Sequence, residues 1–201
     1  MKWLSITMSI LYYSEEGDIH WRSVDYYDVH CLLRLKDRRV ASCSSDKSIR
    51  IYVPSNDYHC DQLIERHSYS ILSICELDDG TIASCSWNNL IIIGDYTINN
   101  PFEKYVFKVI TLPNNRIASC PGDKTIKIWK SNPPYSDTPI IVLKGHRDYV
   151  NSLLYIKERD IMISGSYDLT FSLWNMSTYQ CTTMIKGVEC RTIVLLIHYI
   201  S

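Results

Sequence analysis

The 201-residue sequence predicts an all-β protein built from radially repeated sheets of three or four short strands. Three observations carry this. A hairpin motif is written four times. An apolar triplet precedes each copy. Strand-prone runs fill most of each unit, which does not suit a helical solenoid. The motif is clearest at Arg116–Lys130, RIASCPGDKTIKIWK, where a small apolar run (Ile117 to Cys120) and an alternating run (Thr125 to Trp129) flank the turn Pro121-Gly122-Asp123-Lys124. Two β-runs around a Gly-Asp turn read as a hairpin.

In chain order, residues 3–13 are β-prone and are expected to form one strand, with 14–18 a polar turn and 20–28 a lead into the first repeat. The first hairpin runs from Val40-Ala41-Ser42-Cys43 through Asp46 to Ile49, Ile51 and Tyr52. The second runs from Ile82-Ala83-Ser84-Cys85 through Asn88 to Ile91 and Ile93. The fourth runs from Met162-Ile163-Ser164-Gly165 through Asp168 to Phe171, Leu173 and Trp174. The preceding triplets are Val29, Leu32, Leu35; Ile71, Ile74, Leu77; Val106, Val109, Leu112; and Val150, Leu153, Ile156, always three residues apart. The turn residues Asp46, Asn88, Asp123 and Asp168 lie 42, 35 and 45 positions apart. Outer strands are expected near 60–64, 140–143 and 181–185. The second repeat has 12 residues between Gly94 and Val106, so its outer strand is expected to be stunted or absent. Ile193, Leu196 and Tyr199 repeat the triplet spacing and open a fifth unit that stops after one strand.

These repeats resemble WD40 repeats, the blades of a β-propeller. The fourth is the fullest match, with Gly145-His146, Val150, Ser164, Asp168 and Trp174-Asn175 in the family's order. The third has Asp123 and Trp129 but lacks the His. The second has His67 and Asn88, with Gly94 at the Trp position; the first has Asp46 and Tyr52. The resemblance covers roughly 28–199. It implies an incomplete WD40-like propeller: a leader segment at 1–27, four repeats over 28–187 (28–66, 67–104, 105–145, 146–187), and the first strand of an unfinished fifth blade at 188–201.

Composition narrows the function classes. With 46% hydrophobic residues the chain can bury a sizeable core. A net charge of -1 gives no reason to expect nucleic acid or a membrane surface as partner. The one basic cluster, Arg34, Lys36, Arg38 and Arg39, faces acidic counterparts in the second repeat, Glu76, Asp78 and Asp79, and reads as a solvated turn beside a complementary neighbour. Cys43, Cys85 and Cys120 share one strand position in three repeats, which suits a small apolar side chain where blades converge. No zinc-like Cys/His spacing occurs, so no metal or other cofactor is expected. Reduced thiols place the chain in the cytoplasm, with the nucleus as an alternative. The start, MKWLSITMSILYY, is too diluted by Ser5, Thr7 and Ser9 for a secretory leader, and no apolar run reaches the ~20 residues of a membrane span.

His146, Ser164 and Asp168 carry the residue types of a catalytic triad, but a nucleophile needs an exposed oxygen and an oxyanion hole, and Ser164 falls mid-strand. The family resemblance implies instead a structural network: Asp168 fixes the His146 imidazole, which reaches the Ser164 hydroxyl, which meets the Trp174 N–H. No enzyme is expected. The resemblance also implies partner docking on the face that carries the loops and hairpin turns. Mapped residue by residue, that face comprises His30, Leu72, Trp87, Tyr105, Phe107, Tyr149, Asn151 and Tyr167, and its five aromatics match the composition of interface hot spots. The expected function is a non-enzymatic interaction scaffold that binds a protein or peptide. The alternatives are the substrate-recognition part of a ubiquitin ligase complex, or a truncated repeat protein without independent function. Open propeller edges also make self-association an expectation.

Overall fold

Each sheet is organised by the turn between its second and third strands. The chain captures its own backbone there: the carboxylate or amide of Asp46, Asn88, Asp123 or Asp168 accepts the N–H two residues on, at 2.9, 3.3, 3.1 and 2.9 Å. This forces the intervening residue into the left-handed region, and Lys47, Asn89, Lys124 and Leu169 have φ of 74°, 66°, 70° and 63°. A serine two residues before the acid binds the acid's own N–H in three of the turns, Ser44, Ser86 and Ser166. In the third, Pro121 stands there instead.

The computed structural model describes residues 10–13, 19–22, 28–53, 59–99 and 104–187. Strands β1 (Ile10–Tyr13) and β2 (Ile19–Arg22) pair with each other as a separate hairpin. The expected single N-terminal strand is therefore, over its described part, the first arm of a hairpin. Four antiparallel four-stranded sheets follow. They comprise β3 (Val29–Arg34), β4 (Val40–Ser44), β5 (Ile49–Tyr52) and β6 (Cys60–Ile64); then β7 (Ile71–Glu76), β8 (Ile82–Ser86), β9 (Leu90–Ile93) and β10 (Tyr96–Asn99). The third holds β11 (Val106–Leu112), β12 (Arg116–Pro121), β13 (Ile126–Lys130) and β14 (Ile141–Leu143). The fourth holds β15 (Val150–Ile156), β16 (Ile161–Ser166), β17 (Thr170–Asn175) and β18 (Gln180–Lys186). The strands of each sheet lie in sequence order, and the inner strands β3, β7, β11 and β15 pack side by side. This is an incomplete propeller of four blades. The segment expected to begin a fifth blade, 188–201, lies outside the described residues.

The first three-residue interval of each triplet has a local cause. All four inner strands carry a bulge after their first residue, between Val29 and Cys31, Ile71 and Ser73, Val106 and Lys108, and Val150 and Ser152. The extra residue resets the alternation between the first and second members of each triplet; the second interval, as from Val109 to Leu112, runs in unbroken register. The outer strand of the second blade is present and four residues long. Gly94, with φ 54°, closes a two-residue turn with Asp95, and Tyr96 pairs directly with Ile93. Gly tolerates that conformation without a Cβ penalty, so the short connection still leaves room for a strand.

The core lies between blades. Ala41, Ala83 and Ala118 and the neighbouring Cys43, Cys85 and Cys120 are fully buried, as small side chains must be where sheets converge. Trp129 of the third blade packs on Leu77, Ile91, Ile93 and Ile98 of the second. Trp174 of the fourth packs on Leu112, Ile126, Ile128 and Leu143 of the third.

Candidate functional site

Two arrangements involve the residues singled out from the sequence: a buried polar network in each blade, and an aromatic strip on the turn face. In the fourth blade, the Trp174 indole N–H donates to Ser164 Oγ at 2.8 Å. The Ser hydroxyl then donates to His146 Nε2 at 2.7 Å, which leaves the proton on Nδ1 to be shared with Asp168 Oδ2 at 3.1 Å. Asp168 also accepts the Arg147 N–H at 2.7 Å and the Thr170 hydroxyl at 2.6 Å. Burial pushes the Asp168 carboxyl up, but the bonds from Thr170, the Arg147 N–H and His146 outweigh it and bring it down to about 2. Ser164 is fully buried and both neighbours occupy its hydroxyl, so no substrate carbonyl can approach it.

The other blades meet the same need with different residues. In the second, the Ser84 hydroxyl lies 2.8 Å from His67 Nε2, and His67 Nδ1 lies 3.1 Å from Asn88 Oδ1. Burial pulls the His67 imidazole below its ordinary value, with the Asn88 bond opposing. In the third, the Trp129 N–H donates to Ser119 at 2.8 Å, but the acid's partner is a cation from its own hairpin: Lys127 Nζ lies 2.6 Å from Asp123 Oδ2, with the Lys127 side chain fully buried. Burial lowers the Lys127 ammonium, and Asp123 opposes that shift. The first blade uses Arg50 on Asp46 at 2.7 Å, again four residues on. Where the loop histidine exists, that fourth position holds Ile92 or Ser172 instead. The signal for these cations was present in the sequence as a basic residue four after the turn acid, but alternation puts it on the face opposite Ile126 and Ile128, or Ile49 and Ile51, so its burial was not legible.

On the turn face, one backbone bond sets every loop. The residue before the turn acid or amide donates its N–H to the carbonyl of the residue before the inner strand: Ser45 to Asp28, Trp87 to Ser70, Gly122 to Tyr105 and Tyr167 to Tyr149, at 2.8–3.1 Å. This repeated clasp fixes the two loops of each blade on one face, where side chains of neighbouring blades meet. Trp87 and Tyr105 have ring centroids 6.1 Å apart, Tyr105 and Phe107 5.7 Å, Phe107 and Tyr149 5.8 Å, and Phe107 and Tyr167 6.5 Å. The five rings form one strip across the second, third and fourth blades, while Trp87, Tyr105 and Tyr167 remain 50%, 46% and 56% exposed. Of the other residues read onto this face, His30 is exposed in the first blade and lies 2.8 Å from Ser45 Oγ. Burial lowers its imidazole, with Asp28 opposing. Leu72 is half-buried, and Asn151 accepts the Ser152 hydroxyl at 3.0 Å.

Sequence reasoning missed two contributors beside the strip. Lys104 Nζ stands 5.8 Å from the Tyr149 ring centroid, and Tyr69, 59% exposed, has Lys47 Nζ 6.0 Å from its ring. Tyr69 lies one residue before the flanking position that repeat alignment selects. The basic cluster of the first blade meets its acidic neighbours: Glu76 accepts the Lys36 N–H at 2.8 Å, Lys36 Nζ lies 3.3 Å from Asp78, and Arg39 pairs with Asp37 and Asp61. No helix among the described residues is long and apolar enough to cross a membrane.

Comparison with known proteins finds similarity over parts of the chain. Residues 137–175, which contain the whole His146–Ser164–Asp168–Trp174 network, match the WD domain, G-beta repeat family. The nuclear distribution protein PAC1 of Arthroderma benhamiae is 26% identical over 146 residues, covering 73% of this chain and 25% of that protein. The nuclear distribution protein nudF of Aspergillus niger is 36% identical over 72 residues, 35% of this chain and 16% of that one. An uncharacterised WD repeat-containing protein of Schizosaccharomyces pombe is 34% identical over 76 residues, 35% of this chain and 20% of that one. The chain spans about a quarter or less of these curated relatives' length.

Proposed function

We propose that this chain, which carries WD40 repeats and folds as an incomplete propeller, is a non-enzymatic protein-interaction scaffold that docks a peptide or protein on its turn face. The observation that carries the reading is the aromatic strip: five rings in continuous contact, three of them about half exposed. Tyr and Trp supply large, stiff contact area and dominate binding hot spots. The cations beside the strip, Lys47 and Lys104, favour a partner segment with acidic residues flanking an apolar anchor. Ser164 is inaccessible, which supports reading the polar network as structural. The names of relatives, nuclear distribution proteins, support a role in nuclear distribution, and the proposed setting is the cytoplasm, with self-association part of the proposal.

The test is capture from cytosol on the native chain and on a Trp87→Ala/Tyr167→Ala double variant. Losing two anchors should deplete specifically retained proteins by about tenfold or more. Both chains should melt together, because the removed rings are largely exposed. Identical capture by the two would count against the strip as the docking face.

A further inference from the structure

The second blade lacks the indole that the third and fourth blades insert between themselves and their predecessors. Each blade's Trp position lies ten residues after its buried serine: Ser119 and Trp129, Ser164 and Trp174, Ser84 and Gly94. The wall that Trp129 covers is Leu77, Ile91, Ile93 and Ile98; the wall that Trp174 covers is Leu112, Ile126, Ile128 and Leu143. The corresponding wall of the first blade is Leu35, Ile49, Ile51 and Ile64, matched by the same strand pairings, Ile64 with Ile49 as Ile98 with Ile91 and Leu143 with Ile126. Those four residues line an open cleft of about 610 Å³ between the first and second blades, with Ile82, Ser84 and Gly94 on its other side.

The donor site is matched too. Ser164 receives an indole N–H while its own proton goes to His146. Ser84 makes the equivalent bond to His67 at 2.8 Å, and its hydroxyl oxygen keeps a lone pair that can accept an indole N–H as Ser119 and Ser164 do. The chain cannot fill the cleft from Gly94 itself. Its φ of 54° disfavours a side chain, and a Cβ there would meet Thr81 Cγ2 at 3.1 Å. Around the mouth, Lys36 is paired with Asp78, Arg39 with Asp37 and Arg66 with Asp95, while Glu76 and Asp79 add two further carboxylates, so the rim is acidic and disfavours a free indole carboxylate. This favours an indole carried on a polypeptide, where the carboxylate is replaced by a neutral amide.

We propose that this cleft is a binding site for the tryptophan side chain of a partner polypeptide, whose indole completes the blade interface as Trp129 and Trp174 do in the next two. The site is separate from the aromatic strip and does not depend on it. The probes are N-acetyl-tryptophanamide, free indole, and benzothiophene, which has indole's shape without its N–H. Ligand-observed NMR on the full chain should show saturable binding of the first two, with benzothiophene about fivefold weaker for lack of the bond to Ser84. Ile64→Phe and Ile82→Phe, which fill the cleft from its two sides, should each abolish that binding while melting no lower than the native chain. If one variant unfolds, the other still decides. Absence of saturable binding, or binding that survives in a folded cleft-filling variant, would overturn the site. Binding of indole without N-acetyl-tryptophanamide would overturn the polypeptide origin.

Discussion

The third and fourth blades hold the same tryptophan in the same way and stabilise the turn beneath it differently. In both, an indole N–H donates to a buried serine at 2.8 Å. In the fourth, the turn acid is tied to His146, 22 residues back in the leading loop, so the network joins segments distant in sequence. In the third, Asp123 is tied to Lys127, four residues on in the same hairpin. The difference shows which part of the motif is obligatory. A buried carboxylate at this turn needs a partner donor, because an unpaired one is strongly destabilising. Whether that partner comes from the loop or from the neighbouring strand is free to vary, and the first blade, with Arg50 on Asp46, takes the local solution as well.

The largest effects should come from the shared element. Trp129→Ala and Trp174→Ala each empty a buried indole site and should each cost about 3–5 kcal/mol. Urea melts read the loss. A much smaller loss at Trp174 would mean that the fourth blade does not depend on its indole as the third does, and would break the comparison at its base.

The acid's partner should matter next. Lys127→Ala leaves Asp123 underpaired and should cost about 2–3 kcal/mol, below the fully buried case because Asp123 keeps 17% exposure. Asp168→Ala should cost about 1–3 kcal/mol. The two blades separate by pH. The Asp168 carboxyl stands near 2 in the folded chain against an ordinary 3.8. Its stabilisation is therefore full above about pH 4 and fades as pH falls toward 2, amounting to roughly 2 kcal/mol. The stability gap between the native chain and Asp168→Asn should close across that window. A gap that stays constant would mean that His146 and Thr170 do not hold the carboxylate in its charged form.

The smallest effects are chemical rather than thermodynamic, and extend the comparison inward to the other blades. One register position holds Cys43, Cys85 and Cys120 in the first three blades and Gly165 in the fourth. Burial pushes the Cys85 and Cys120 thiols well up. Cys31, across the strand pair from Cys43 and less buried, is brought down to about 6 by the bond from Cys43, with the Lys108 ammonium assisting and burial opposing. Iodoacetamide at pH 7 should therefore modify Cys31 well before Cys85 or Cys120 in the folded chain, as read by peptide mass mapping. Comparable rates at all three would show that the blade interface does not shield its thiols.

Much of this molecule is legible in its amino-acid sequence. Four hairpins, their turn residues and the strands around them can be read because each depends on neighbours within a few positions: alternation, a small residue run, an acid that captures the N–H two residues on. The turn-face residues are legible one by one through the repeat register. Their joining into one strip is not, because the contacts from Trp87 to Tyr105 and from Phe107 to Tyr149 and Tyr167 cross from blade to blade. The triplet spacing is visible as a pattern, but the cause of its first interval, a bulge in every inner strand, shows only in the pairing of two strands.

By itself the sequence determined that the chain repeats, that each unit is a small antiparallel sheet, and which residue stands at each turn, since these follow from local periodicity and turn chemistry; the outer strand of the second unit became evident only from its pairing with Leu90–Ile93. The tertiary structure decided what happens between units. It joined the five turn-face rings into one strip, and it left Gly94 beside a cleft between the first and second blades. Those outcomes rest on which side chains converge when one sheet packs on the next, and desolvation and close packing act only there.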